Sequence, residues 1–216
     1  MTPAILHGDA AYHLRTLGTA SVECVITSPP YWHGDGSEAL GGEPSAALYV
    51  TRLVALFAQV QRVLCDDGTC WLLLGDRDTP PVGVRWCVAH ALVGAGWTLA
   101  AETSVGLDTL FRLHPTPSAA LYYGPTVARA RWDAPAAPLL TDAPYAPLSL
   151  DLIDACLTTS TTLGDHVLDP LCGIGTVGRV ATDLGRTFCG IDLDPLRCAL
   201  ARTYMRGGTP RLPGII

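Results

Sequence analysis

A hydroxyl, two rigid carbonyls and two aromatic rings stand in one unbroken run, Ser28-Pro29-Pro30-Tyr31-Trp32, directly after the apolar stretch 22–26 and Thr27. Each proline fixes φ at about −65° and removes a backbone donor, so the turn is stiff and rich in free acceptors. Ser28 Oγ and the prolyl carbonyls can accept hydrogen bonds, and the two rings offer flat apolar faces. Such an array suits a planar group that carries an amine. A plain proline turn packed by aromatics would use the same residues, so this run alone leaves both readings open.

A second constellation spans 167–178 and holds Asp169, Pro170, Cys172, Gly173, Gly175 and Thr176. A short apolar strand at 166–168 enters a glycine-rich turn, a helical pattern follows at 176–184, and a strand at 187–191 ends in Asp192. That is a βαβ unit with an acid on its second strand, where a ribose hydroxyl pair is held. Its glycines let the backbone approach a ligand closely. Gly173, Gly175 and Gly178 also satisfy G-x-G-x-x-G, which brings in a nicotinamide or flavin dehydrogenase. Asp169-Pro170 argues against that alternative, because a dinucleotide fold runs its strand straight into the first glycine. An acid at this point suits a cofactor with a cationic amino-acid end, such as S-adenosylmethionine.

Ser-Pro-Pro-Tyr resembles the catalytic motif of DNA amino-methyltransferases, in the form typical of the cytosine-N4 enzymes. Residues 169–176 resemble the Asp-Pro-Phe-x-Gly-x-Gly-Thr motif of the same family, with Leu171 in the Phe position. The likeness extends to 5–10, 40–76 and 145–153, and the order of catalytic motif first and cofactor motif last is that of the β class. The resemblance implies an α/β, Rossmann-like S-adenosylmethionine-dependent fold, with a mostly parallel sheet and an antiparallel edge hairpin. It also implies methyl transfer to cytosine N4, with adenine N6 as the alternative. Ser28, Pro29, Pro30 and Tyr31 take the catalytic roles, Tyr31 stacking on the extruded base with Trp32 in support. Asp169, Pro170, Cys172, Gly173, Gly175 and Thr176 fall to the cofactor, as do Asp192 at the ribose and Leu193 at the adenine. Asp9 falls at the adenine edge, and Pro147 and Leu148 cover the cofactor from the other side.

At 216 residues and 49% apolar composition, the chain reads as one domain with a single sizeable core. It divides into a catalytic part (1–76), a middle part (77–145) and a cofactor part (146–216). No apolar run is long enough to span a membrane and no signal segment opens the chain, so the expectation is a cytoplasmic protein of bacterial or phage origin. The eight cysteines include no Cys-x-x-Cys and read as reduced, buried thiols, with no metal site. No Pro-Cys supplies the nucleophile of a carbon methyltransferase.

Net charge is −6 and every basic residue is Arg. An acidic chain that binds DNA must gather its Arg on one face, and Arg112, Arg129, Arg131 and the C-terminal Arg197, Arg202, Arg206 and Arg211 are the candidates. Arg129 and Arg131 point the same way if extended. Strands are expected at 4–6, 22–26, 70–74, 97–101, 119–123, 166–168 and 187–191, and helices at 45–64, 82–94, 148–158 and 176–184. The stretches 97–101 and 119–123 would form the edge hairpin, and 34–42 a mobile loop beside the catalytic turn. Only 103–118 and 125–146 are then left to read DNA. That shortage implies duplex or single-stranded DNA with a short site, or a homodimer or an accessory recognition subunit. A non-DNA amine as substrate, and an inactive subunit serving an active partner, are the remaining alternatives.

Overall fold

The computed structural model describes residues 4–76, 83–117 and 148–208. Among them, seven strands form one sheet: β1 (Ala4–His7), β2 (Val22–Thr27), β3 (Leu64–Leu74), β4 (Thr98–Val105), β5 (Asp108–His114), β6 (His166–Asp169) and β7 (Thr187–Asp192). Six helices accompany them: α1 (Ala10–Thr16), α2 (Ala46–Val63), α3 (Val84–Gly94), α4 (Leu150–Ser160), α5 (Thr176–Asp183) and α6 (Pro195–Met205). The sheet order is β1-β7-β6-β2-β3-β5-β4, and only β5 runs antiparallel to its neighbours.

Apolar burial on both sides explains the mostly parallel sheet. Leu14 of α1, the Tyr49, Leu53, Phe57 and Val60 stripe of α2, and Val88 and Leu92 of α3 pack against one face. Leu152 and Ile153 of α4, Val177 and Ala181 of α5, and Cys198 and Ala201 of α6 cover the other. Strand β2 is buried on both faces, as a central parallel strand must be. Helix starts follow local chemistry: Asp9, Ser45, Ser149 and Asp194 each cap a helix by accepting an N–H from its first turn. No helix of the described residues is long and apolar enough to cross a membrane.

Neighbouring β6 and β2 send their chains to opposite faces, into α5 and α2. Their carboxyl ends therefore flank the crevice where ligands bind in such sheets. The glycine turn leaves β6 there, and the proline turn leaves β2.

The edge hairpin departs from the sequence expectation. The partner of β4 is β5, joined through Gly106 at φ +60°, and 119–123 lies outside the described residues. Arg112 and His114 hide β5 in the sequence, yet both side chains are buried. The Arg112 guanidinium lies 5.8 Å from the Trp71 ring centroid, which lets a cation take a strand position within the sheet. Most of 103–118 is therefore sheet rather than DNA-reading surface, and Arg112 is withdrawn from any phosphate-binding face. Helices α1 and α6 are also additions to the sequence expectation: α1 is short and buries only Leu14, and the polar residues of α6 obscure its apolar face.

Candidate active site

The two turns and the end of β1 enclose a cavity of about 680 Å³. Asp9, Ser28, Pro30, Pro170, Gly173, Asp192 and Leu193 all line it, so seven residues singled out in the sequence meet in one place. Its far wall is built by Glu38, Ala39 and Leu40 and by Arg52, Leu56 and Gln59 of α2, none of which the motifs mark.

The glycine turn is organised by its own backbone. Asp192 Oδ2 accepts the Gly173 N–H at 2.9 Å, and Oδ1 accepts the Asp194 N–H at 2.8 Å. Each carboxylate oxygen keeps a lone pair for a ligand. Burial raises the Asp192 pKa, only partly offset by those N–H groups and by Arg197. Asp169 is deeper, with 4% of its surface exposed. Burial pushes its pKa up to about 7, against the opposing pull of the Thr27 hydroxyl and of the Leu171 N–H at 3.1 Å. Among the described residues no cation pairs with it.

Gly173 and Gly175 serve different ends. A Cβ on Gly173 would meet nothing within 4 Å, so that position faces open space in the cavity wall. A Cβ on Gly175 would lie 2.8 Å from Ala201 Cβ, so that glycine lets α5 approach α6. Thr176 begins α5 and does not line the cavity.

Two residues expected at the cofactor do not line the cavity. Cys172 is buried against Gly190 of β7, where a Cβ would meet its Sγ at 2.8 Å, and it does not line the cavity. Leu148 is buried in the core beneath α4 and does not line it either. Asp9 lines the cavity while its carboxylate caps α1 through the Tyr12 N–H at 2.8 Å. Pro147, Arg129, Arg131 and Arg211 lie outside the described residues.

The proline turn is held by side chains from elsewhere. Tyr49 of α2 donates its hydroxyl to the Pro30 carbonyl at 2.9 Å. Tyr31 donates to Asp108 Oδ2 at 2.8 Å, and Trp32 Nε1 donates to the Glu43 carbonyl at 2.8 Å. Neither aromatic ring lines the cavity, and Tyr31 is only 7% exposed, so both differ from the open stacking platform expected of them. Pro29 is buried, while Ser28 is half-buried at the cavity wall.

The loop at 33–43 is folded rather than open. Gly41 O accepts N–H groups from His33 and Gly34, and Gly36 N donates to Gly42 O. The Glu43 carboxylate, 1% exposed, accepts the Gly41 N–H at 2.8 Å and pairs with Arg52 at 2.6 Å. These ties hold Glu38, Ala39 and Leu40 against the cavity.

Chemically, the site brings a hydroxyl and a carbonyl acceptor beside two buried carboxylates and a glycine wall. Asp192 and Gly173 line the cavity, whereas Asp169 is buried and is not part of the lining. Among the described residues no cluster of three His, Cys, Asp or Glu could hold a metal ion.

A family model described as DNA methylase matches residues 22–107 and 141–203. The Type II methyltransferase M.XycI of Xanthomonas campestris pv. cyanopsidis is 33% identical over 94% of this chain and 87% of its own. M.Cfr9I of Citrobacter freundii is 31% identical over the same shares. The alignment with M.XycI runs over 265 positions, more than the 216 residues of this chain, so that relative carries segments this chain lacks. A Thermus thermophilus protein described as a DNA modification methylase, solved with S-adenosyl-L-methionine, is similar in structure. It is 22% identical with a TM-score of 0.73, covering 99% of this chain and 96% of that one, a likeness of fold.

Proposed function

The chain belongs to the DNA methylase family of S-adenosylmethionine-dependent amino-methyltransferases, and from that premise we propose that it methylates the exocyclic N4 amino group of cytosine in DNA. One observation carries the reading. Ser28 Oγ and the Pro29 carbonyl take no side-chain hydrogen bond from the described residues, whereas the carbonyls of Pro30 and Tyr31 are occupied. Of these two acceptors Ser28 lines the cavity, and Pro29 is the next residue along the chain.

The donor set fits the cofactor. Asp169 is a buried carboxylate in want of a cation, which the α-ammonium of S-adenosylmethionine provides. Asp192 has one lone pair left on each oxygen for a ribose diol, and Gly173 leaves room where a side chain would intrude. Bound there, S-adenosylmethionine supplies an electrophilic methyl group on a sulfonium.

Cytosine N4 is a weak nucleophile because its lone pair is delocalised into the ring. Ser28 and the Pro29 carbonyl, accepting its two N–H bonds, draw the nitrogen toward tetrahedral geometry and localise the lone pair on the side facing the methyl. The N–C bond would form as the S–C bond breaks, with that electron pair staying on sulfur as a neutral thioether and one amino proton passing to solvent water. The base must first be extruded, at a cost of a few kcal/mol in duplex DNA. Holding both partners in line supplies most of the acceleration.

Ser at position 28 favours cytosine over adenine through the form of the motif, and adenine N6 is the second reading because the same acceptors serve either amine. The segments present in M.XycI but lacking here support DNA reading with a second copy or a separate recognition subunit. Incubation with S-adenosylmethionine and unmethylated duplex or single-stranded DNA, followed by nucleoside mass spectrometry, tests the proposal. N4-methylcytidine that is absent with Ser28→Ala is the expected product; N6-methyladenosine would reassign the base.

A further inference from the structure

A turn made of two prolines has no backbone N–H at either, so only its carbonyls and side chains can fix it. Its carbonyls in this protein have separate fates. The Pro30 carbonyl accepts from Tyr49 at 2.9 Å, and the Tyr31 carbonyl lies 3.0 Å from His33 Nδ1. Among the described residues, the turn carbonyl that no side chain donates to is that of Pro29, next to the Ser28 hydroxyl.

Tyr49 is itself held firmly. It is 1% exposed, in the first turn of α2 behind the Ser45 cap, and burial raises its hydroxyl pKa, so it stays a donor at working pH. Three residues on, Arg52 lines the cavity and clasps Glu43. One helical face thus reaches both the proline turn and the cavity wall.

Resting on the amino-transfer reading above, we infer that Tyr49 is a positioning residue: its bond to the Pro30 carbonyl sets the turn so that Pro29 O and Ser28 Oγ converge on one amine. Peptide planes are rigid, so pinning the Pro30 carbonyl orients the adjoining peptide and limits rotation at Pro30. With that bond lost, the Pro29 carbonyl is no longer held in register with Ser28. Ground-state binding of the cofactor does not depend on this register, whereas transfer does.

Tyr49→Phe removes one oxygen and keeps the ring in the core. Single-turnover transfer from radiolabelled S-adenosylmethionine to DNA is measured beside the cofactor Kd by calorimetry, with Ser28→Ala in parallel. The expected result is a transfer rate about tenfold lower with cofactor Kd within about twofold of wild type. A rate within about twofold of wild type, with Ser28→Ala inactive, overturns the inference alone. A parallel loss of cofactor affinity also overturns it, since that marks general damage to the fold. Full activity in Ser28→Ala takes down the amino-transfer reading and this inference together.

Discussion

Two turns leave neighbouring strands at the same crevice and are stabilised in opposite ways. The turn after β6 is rich in glycine, and its N–H groups reach groups in its own βαβ unit: Gly173 to Asp192, Leu171 to Asp169, Cys172 to Ile191 O. The turn after β2 is rich in proline and has few N–H groups to offer. It is tied by Tyr49, Asp108 and Glu43, drawn from α2, β5 and the following loop. A turn that must present acceptors gives up its own donors, and distant elements then have to hold it. A turn that must admit a ligand's close approach to its backbone gives up side chains and can hold itself.

Breaking each turn should therefore fail differently. The largest effect is expected at Asp192→Ala, which removes two lone-pair acceptors and the anchor of Gly173. Cofactor affinity should fall about a hundredfold by calorimetry, in keeping with hydrogen bonds to a charged group. Affinity unchanged by that substitution would detach the glycine turn from the cofactor.

The two glycines sharpen the contrast within one turn. Gly175→Ala places a Cβ 2.8 Å from Ala201 Cβ at φ +81°, and thermal unfolding should show a loss of about 2–3 kcal/mol. Gly173→Ala, at φ +51° with no neighbour within 4 Å, should cost about 1 kcal/mol of stability and show its main effect on cofactor binding. Equal losses of stability at both would erase the distinction.

A smaller effect concerns pH. The folded Asp169 pKa of about 7 lies above its ordinary value of 3.8, so the folded state binds the extra proton between the two values. Its contribution to stability falls as pH rises through that window and is flat above it. Between pH 6 and 8 the ligand-free protein should lose about 1 kcal/mol more stability than Asp169→Asn does. Cofactor binding by the wild type should release a proton near pH 7, as the bound ammonium ionises Asp169.

The same contrast explains what is legible in the sequence. The glycine turn is local, so its strand, its turn and the acid on the next strand can be read along the chain, and Gly173 and Asp192 do line the cavity. Cys172 shares that stretch, but side-chain direction is set by packing against Gly190, which no spacing reveals. The residue types of the proline turn are equally plain, whereas its ties are not. Tyr49 falls in the apolar stripe with Leu53, Phe57 and Val60 and so reads as core, and Asp108 is 77 residues from Tyr31. Strand β5 stays hidden because Arg112 and His114 interrupt its apolar pattern, although both are buried in the sheet.

The division of labour between the turns is tested most directly by one pair of readings on Ser28→Ala: cofactor binding by calorimetry, and single-turnover methyl transfer to DNA. Wild-type affinity with transfer reduced at least about a hundredfold is the predicted result. Transfer that persists near the wild-type rate, or affinity that falls along with it, would contradict the assignment of catalysis to the proline turn.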